Sequence, residues 1–154
     1  KKEIPNAFFV MVGDGELRDK VYELIKNAHL EDSFQITGWV DNPTAYIKNM
    51  DVATLLSRWE GFGLAIAEYM CAEMSLVATN VDAIPYVVSN GVDGVLVEKD
   101  DPAQAAKEVI RIIQDKKLAN RLRKNGLVTA RTKYDVRRVC LETHQLYKEI
   151  NTHC

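Results

Sequence analysis

Glu60 and Glu68 are two carboxylates with seven residues between them, in the run Glu60-Gly61-Phe62-Gly63-Leu64-Ala65-Ile66-Ala67-Glu68. An ionised carboxylate only accepts hydrogen bonds, and each oxygen can take an O–H, which suits it to gripping vicinal hydroxyls on a sugar or a ribose. Gly61 and Gly63, with Phe62 between them, allow close backbone approach. The free N–H groups at the start of a helix from Leu64 would point at whatever lies between the acids, ideally a diphosphate. Glu68 stands about 6 Å along that helix at a rise of 1.5 Å per residue. At 100° per residue it lies about 120° from the centre of the apolar face formed by Ile66, Ala67, Met70, Cys71 and Met74, where it faces a cleft and not the core. The plainer alternative is a loop charge at Glu60 and, at Glu68, a first-turn acid favoured by the helix dipole.

Gly13-Asp14-Gly15 offers a second close approach, between a strand and a helix, of the kind a phosphate needs. Arg18 stands where the third glycine of a dinucleotide fingerprint would be, and the next strand ends in Thr37-Gly38 without a ribose-binding acid. Both features argue against NAD. A tight turn without a ligand is the alternative for this segment.

The elements that must position these loops alternate. Phe8–Val12 is a continuous β-prone run that reads as a strand buried on both faces. Leu17, Val21, Leu24, Ile25 and Ala28 then recur at helical spacing, and Phe34–Thr37 is a second strand. Asp41-Asn42-Pro43 starts a helix with Tyr46, Ile47 and Met50 as its stripe, followed by a strand over residues 51–56. Leu64–Glu73 is a helix, Leu76–Thr79 a strand, and Val95–Val97 a fifth strand between the turns Asn90-Gly91 and Asp93-Gly94 and the helix opened by Pro102. That helix carries Ala106, Val109, Ile110 and Ile113 as its expected buried stripe, and helices continue over Leu118–Lys133 and Val136–Ile150. The predicted fold is α/β, a Rossmann-like, doubly wound parallel sheet with helices on both faces and helices at the C-terminal end. Ligands in such sheets bind beyond the carboxyl ends of the strands, where both glycine-bearing loops fall.

The 154 residues suit one domain of ordinary size, residues 1–154. A net charge of −2 supplies no field for nucleic acid or an anionic membrane, so an anionic ligand must be held locally. The longest apolar run is about five residues, far short of the roughly 20 that span a bilayer. Cys71, Cys140 and Cys154 have neither CxxC nor Cys/His ligand spacing, so no disulfide framework or zinc site is expected and a reducing cytoplasm is the expected setting. Lys1-Lys2-Glu3-Ile4-Pro5 has no initiator Met and is unlike a signal peptide, and it reads as a cut inside a longer chain.

Ser57-Arg58-Trp59-Glu60-Gly61-Phe62-Gly63-Leu64 with Glu68 resembles the Glu-x7-Glu motif of the retaining, nucleotide-sugar-dependent glycosyltransferases of family 4, enzymes of the two-domain GT-B fold. Val12-Gly13-Asp14-Gly15-Glu16-Leu17, Gly38-Trp39-Val40, Asp51-Val52-Ala53, Val77-Ala78-Thr79, Ile84-Pro85 and Asn90-Gly91-Val92-Asp93-Gly94-Val95-Leu96-Val97 resemble, in order, that family's C-terminal, donor-binding domain. The resemblance implies a hexosyltransferase acting from a nucleoside diphosphate sugar with retention of anomeric configuration, in the biosynthesis of a polysaccharide, lipid or glycoconjugate. By position, Glu60 would be the catalytic residue and contact donor-sugar hydroxyls, Glu68 would contact the ribose, and Gly61, Phe62, Gly63 and Leu64 the sugar and diphosphate through backbone. Gly38, Trp39 and Val40 would lie against the nucleobase, with Gly13 and Gly15 lining the same cleft; the Trp39 ring is either a stacking surface or core. No cofactor and no metal are implied.

Two segments depart from the family pattern. Glu73-Met74-Ser75 replaces the usual Gly-x-Pro, and Asp82-Ala83-Ile84-Pro85-Tyr86 replaces the usual Gly-Gly-x-Pro-Glu. The resemblance also implies a leading strand and helix carrying an Arg and a Lys, with no counterpart before Phe8, and an N-terminal domain that binds the acceptor. Without that strand, which is central to the family's sheet, an exposed or rearranged strand edge is expected. The 154 residues alone are expected to bind nucleotide weakly and to turn nothing over. A cytoplasmic location, with peripheral membrane association through the further domain, completes this reading. The alternative from another class is a non-catalytic nucleotide-binding or interaction module of the same fold; an epimerase of the two-domain fold would need a different acid/base set.

Overall fold

A computed structural model describes residues 1–151 and divides into two compact units, residues 1–49 and residues from Met50 onward. Cys154 lies outside the described residues, while Cys71 and Cys140 are exposed and free.

The first unit runs β1 (Phe9–Met11), α1 (Arg18–Asn27), a 3-10 turn (Glu31–Ser33), β2 (Phe34–Ile36) and α2 (Pro43–Ile47). β1 and β2 pair in parallel with Phe9 opposite Phe34 and Met11 opposite Ile36, and the Phe9 and Phe34 rings stack with centroids 5.8 Å apart. Phe9 is 38% exposed and Met11 43% exposed, so the expectation of a strand buried on both faces fails for β1. A continuous apolar run is buried on both faces only where neighbours cover it, and β1 has one strand partner, β2.

The second unit runs β3 (Val52–Leu55), α3 (Leu64–Cys71), β4 (Ser75–Thr79), α4 (Ile84–Val87), β5 (Val95–Val97), α5 (Pro102–Gln114), α6 (Lys116–Lys133) and α7 (Val136–Asn151). Its sheet has the order β3-β4-β5, all parallel, with Leu55 opposite Ala78 and Thr79 opposite Val97. Every residue of the central strand β4 is buried. Successive side chains of a strand leave by opposite faces, and the core divides accordingly. Leu76 and Ala78 join Ile66 and Met70 of α3, Ile84 and Val87 of α4, and Ala130 of α6 on one side. Val77 joins Val95, Val97, Ala105, Ile112, Leu118 and Leu122 on the other. One helix, α6, serves both clusters because its 18 residues are long enough to leave one and reach the other.

The parallel α/β alternation is as expected, with strands shared between a two-stranded and a three-stranded sheet. An edge is left open on both: β1 pairs only with β2, and β3 only with β4, among the described residues. On α5 the buried side chains are Ala105 and Ile112, with Val109 and Ile110 half-buried as expected, while Ala106 and Ile113 are exposed. The stripe is thus turned by one residue from the expected one. Both sets have helical spacing; at the start of the helix the Asp101 side chain accepts the Gln104 N–H at 2.8 Å, and Gln104 Oε1 accepts the Glu98 N–H at 2.6 Å. Gly94 admits the close approach of β5 to the core: a Cβ there would lie 2.6 Å from Leu76 Cδ1 and 2.7 Å from Val88 Cγ1.

Candidate functional site: a clasped acidic loop at the carboxyl end of β3

Three loops leave the carboxyl ends of β3, β4 and β5, and hydrogen bonds from side chains and backbone tie them together. Thr79, buried at the end of β4, donates its hydroxyl to the Ser57 carbonyl at 2.6 Å. Asp82, in the loop after β4, accepts the Glu60 N–H at 2.9 Å. Arg58 donates through Nε to Asp100 at 2.8 Å, and the Asn80 N–H donates to the Val97 carbonyl at 2.7 Å. The cation at Arg58 is therefore spent on an acid of the β5 loop.

Within this frame the acidic run is held at each step. Ser57 Oγ donates to Glu60 Oε2 at 3.3 Å, and Glu60 is half-buried. Phe62 meets the Tyr134 ring edge-on, with centroids 5.4 Å apart and planes at 86°. Gly63 is the N-cap of α3 at φ 81°, ψ 56°, a left-handed conformation in which a side chain is strained, and a Cβ would also stand 3.2 Å from Ile66. Its carbonyl accepts the Ile66 N–H at 2.8 Å, which closes the first turn. Ile66 and Met70 point into the core, Leu64 is exposed, and Glu68 is exposed on the opposite margin, as its angular position predicts.

Tyr69, beside Glu68 in the chain, has its hydroxyl pushed above the ordinary phenol value, first by burial and then by the Glu68 charge. Tyr134 is raised in the same direction by burial and by the buried Asp93. Both rings therefore remain neutral packing elements at physiological pH. Asp93 itself accepts the Ser89 N–H at 2.7 Å and the Thr129 hydroxyl at 2.8 Å, which pins the Asn90–Gly94 turn to α6.

In the first unit the glycine loops at the ends of β1 and β2 come together. The Gly13 N–H reaches the Gly38 carbonyl at 3.1 Å and Thr37 Oγ1 at 3.3 Å. Asp14 Oδ1 accepts the Gly15 N–H at 2.8 Å, and Asp14 Oδ2 pairs with Arg18 at 2.7 Å. A Cβ on the buried Gly38 would lie 3.5 Å from Arg18 Nη1, so the guanidinium packs directly over that glycine. Trp39 is 84% exposed, which removes the core alternative for its ring; Val40 is half-buried.

Sequence reasoning missed two participants. In the sequence Arg18 reads only as an obstacle to a dinucleotide fingerprint, although its spacing of four from Asp14 is a signal for a helical ion pair. Asp82 figured only as a departure from a family pattern. Its bond to Glu60 spans 22 residues and has no local signature.

A family model described as "Glycosyl transferases group 1" matches residues 1–128. The chain belongs to the group 1 glycosyltransferases. Among curated members, it is 34% identical over 113 residues to the N-acetyl-alpha-D-glucosaminyl L-malate synthase of Bacillus anthracis, a match covering 73% of this chain and 30% of that protein. It is also 34% identical over 116 residues to the UDP-Gal:alpha-D-GlcNAc-diphosphoundecaprenol alpha-1,3-galactosyltransferase of Escherichia coli, covering 75% of this chain and 30% of that one. This glycosyltransferase chain thus spans under a third of the length of these two relatives. Among solved structures, Anabaena HepE in complex with UDP-glucose superposes with a TM-score of 0.89 at 21% identity, over 95% of this chain and 42% of that one. The sucrose-phosphate synthase of Thermosynechococcus elongatus gives 0.90 at 24% identity, over 99% and 40%. These likenesses show the fold, the Rossmann-like α/β arrangement of GT-B glycosyltransferases. Among the described residues, no helix of this glycosyltransferase chain is long and apolar enough to cross a membrane.

Proposed function

We propose that this chain is the donor-binding domain of a retaining glycosyltransferase that moves a hexose from a nucleoside diphosphate sugar to an acceptor. The observation that carries this reading is the held run from Glu60 to Leu64, which passes from the carboxyl end of β3 directly into the first turn of α3 with Glu68 exposed beyond it. In this reading Glu60 grips donor-sugar hydroxyls and Glu68 the ribose hydroxyls, while the N–H groups opening α3 face the diphosphate. Gly13, Gly15, Gly38, Trp39 and Val40 serve the nucleotide, with the exposed Trp39 ring available for stacking. The relatives support a nucleotide-sugar donor: one names UDP-Gal, and the HepE structure holds UDP-glucose.

Chemically, such a site works by positioning and electrostatics. It stabilises negative charge on the departing diphosphate and holds the oxocarbenium-like sugar while the acceptor attacks from the face the leaving group vacates. Neither metal nor cofactor enters this scheme. We assign the acceptor site, and the main cations for the leaving group, to a further N-terminal domain, and the reaction to the cytoplasm or its membrane surface. The non-catalytic module is the competing reading, and the Glu60/Glu68 pair favours the enzyme.

The test is calorimetric titration of the chain with UDP, UDP-glucose, UDP-galactose and UDP-N-acetylglucosamine. Weak binding that Glu68→Ala reduces about tenfold, the scale of one lost hydrogen bond to a charged group, is the expected result. An affinity unmoved by Glu68→Ala favours the module, and robust transfer by these residues alone overturns the assignment of acceptor and cations to another domain.

A further inference from the structure

Asp82 is the unexplained residue of the clasp. It is exposed, it has φ 44° without being glycine, and its carboxylate spans from the loop after β4 to the Glu60 N–H. Asp tolerates the left-handed region better than most residues, because its short polar side chain bonds nearby backbone, yet a turn needing only positive φ is served better by glycine. The conformation instead aims the carboxylate at the opposite loop. The bond formed there is charge-assisted, and so stronger than a neutral one.

We infer that Asp82 is a positioning residue for Glu60, holding its backbone so that its carboxylate meets the donor sugar in one orientation. This rests on the donor-domain reading above. Glu60 is then fixed from two sides: Asp82 takes its N–H and Ser57 Oγ binds Oε2, which leaves Oε1 for a sugar hydroxyl. Thr79, bonded to the Ser57 carbonyl, holds the base of the same loop. Loss of Asp82 releases the residue that reads the sugar while leaving the nucleotide's contacts alone. Its signature is accordingly a loss in the extra affinity that a UDP-sugar has over UDP.

Three variants separate this role from turn geometry. Asp82→Asn keeps an acceptor and tolerates positive φ; Asp82→Gly relieves the backbone but removes the acceptor; Asp82→Ala removes both. Each is titrated with UDP and with the best-bound of the three UDP-sugars above, and amide hydrogen exchange at Glu60 is followed in parallel. We expect the UDP-sugar to UDP affinity ratio to fall about tenfold in the Gly and Ala variants and to stay within about twofold in the Asn variant, with UDP affinity unchanged. Glu60 amide protection should fall in the Gly variant and persist in the Asn variant. A Gly variant that keeps the full ratio reduces Asp82 to a turn residue and overturns the inference, as does a wild-type chain that binds UDP with no preference for the sugar. If the chain binds no nucleotide, the donor-domain reading itself fails, and exchange alone judges the clasp: undiminished Glu60 protection in the Gly variant then overturns it.

Discussion

Phe9–Met11 and Ser75–Thr79 are both parallel, β-prone apolar strands, yet β4 is buried at every residue while β1 exposes Phe9 and Met11. The difference is one of neighbours. β4 lies between β3 and β5, with helices from both sides supplying the two halves of the core, whereas β1 has β2 on one edge only. Strand composition makes burial possible, and strand order decides whether it happens.

Truncating a large side chain in each strand should give the largest difference between them. Leu76→Ala should cost about 2–5 kcal/mol in urea unfolding, since Leu76 is 1% exposed and its removal leaves a cavity. Phe9→Ala, at a partly exposed ring, should cost under about half as much; an equal cost would mean that β1 is covered in solution. Gly94→Ala tests the same packing from the other direction. Its Cβ has no room beside Leu76 and Val88, and overpacking of this kind costs about 1–3 kcal/mol in the same measurement.

A smaller effect separates the clusters from their caps. Asp101→Ala removes the acceptor for the Gln104 N–H and should lower stability by about 1 kcal/mol, whereas Asp101→Asn should retain most of it. The smallest concerns Asp135, whose carboxyl is held below the usual range, first by the Arg137 side chain and then by the Arg137 N–H. A depressed folded-state pKa stabilises above the unfolded value and is lost as pH falls through the folded one. An NMR titration should therefore show Asp135 protonating at lower pH than an unstructured Asp, and Arg137→Ala should return it toward the ordinary value. Because Arg137 is exposed to solvent and Asp135 only partly covered, unfolding curves near neutral pH should barely register that substitution.

Much of the site was legible before the fold was known. The run from Glu60 to Glu68 has a strand before it and helical periodicity after it, so its place at the carboxyl end of a strand followed from local pattern alone. Helical periodicity puts Glu68 on the exposed margin of α3, away from Ile66 and Met70, which are both fully buried. Trp39 was undecided because an indole serves equally as core or as surface, and only its 84% exposure resolves it. The α5 stripe centres one residue from the expected phase, because apolar side chains at 105, 106, 109, 110, 112 and 113 satisfy helical spacing in either phase.

Features that depend on neighbours along the chain are legible in the sequence: the alternation of strands and helices, the start of a helix at Pro102, and the glycine loops with the acids beside them. Features that depend on residues far apart in the chain emerge only with the folded arrangement. The division of strands between two sheets, the exposure of β1, and the clasp in which Thr79 and Asp82 hold Ser57 and Glu60 across 22 residues all belong to that class. The physical reason is the same in each case. Backbone propensity and side-chain periodicity act within a turn or two of chain, whereas burial and cross-loop hydrogen bonds exist only once strand order has brought distant groups within reach.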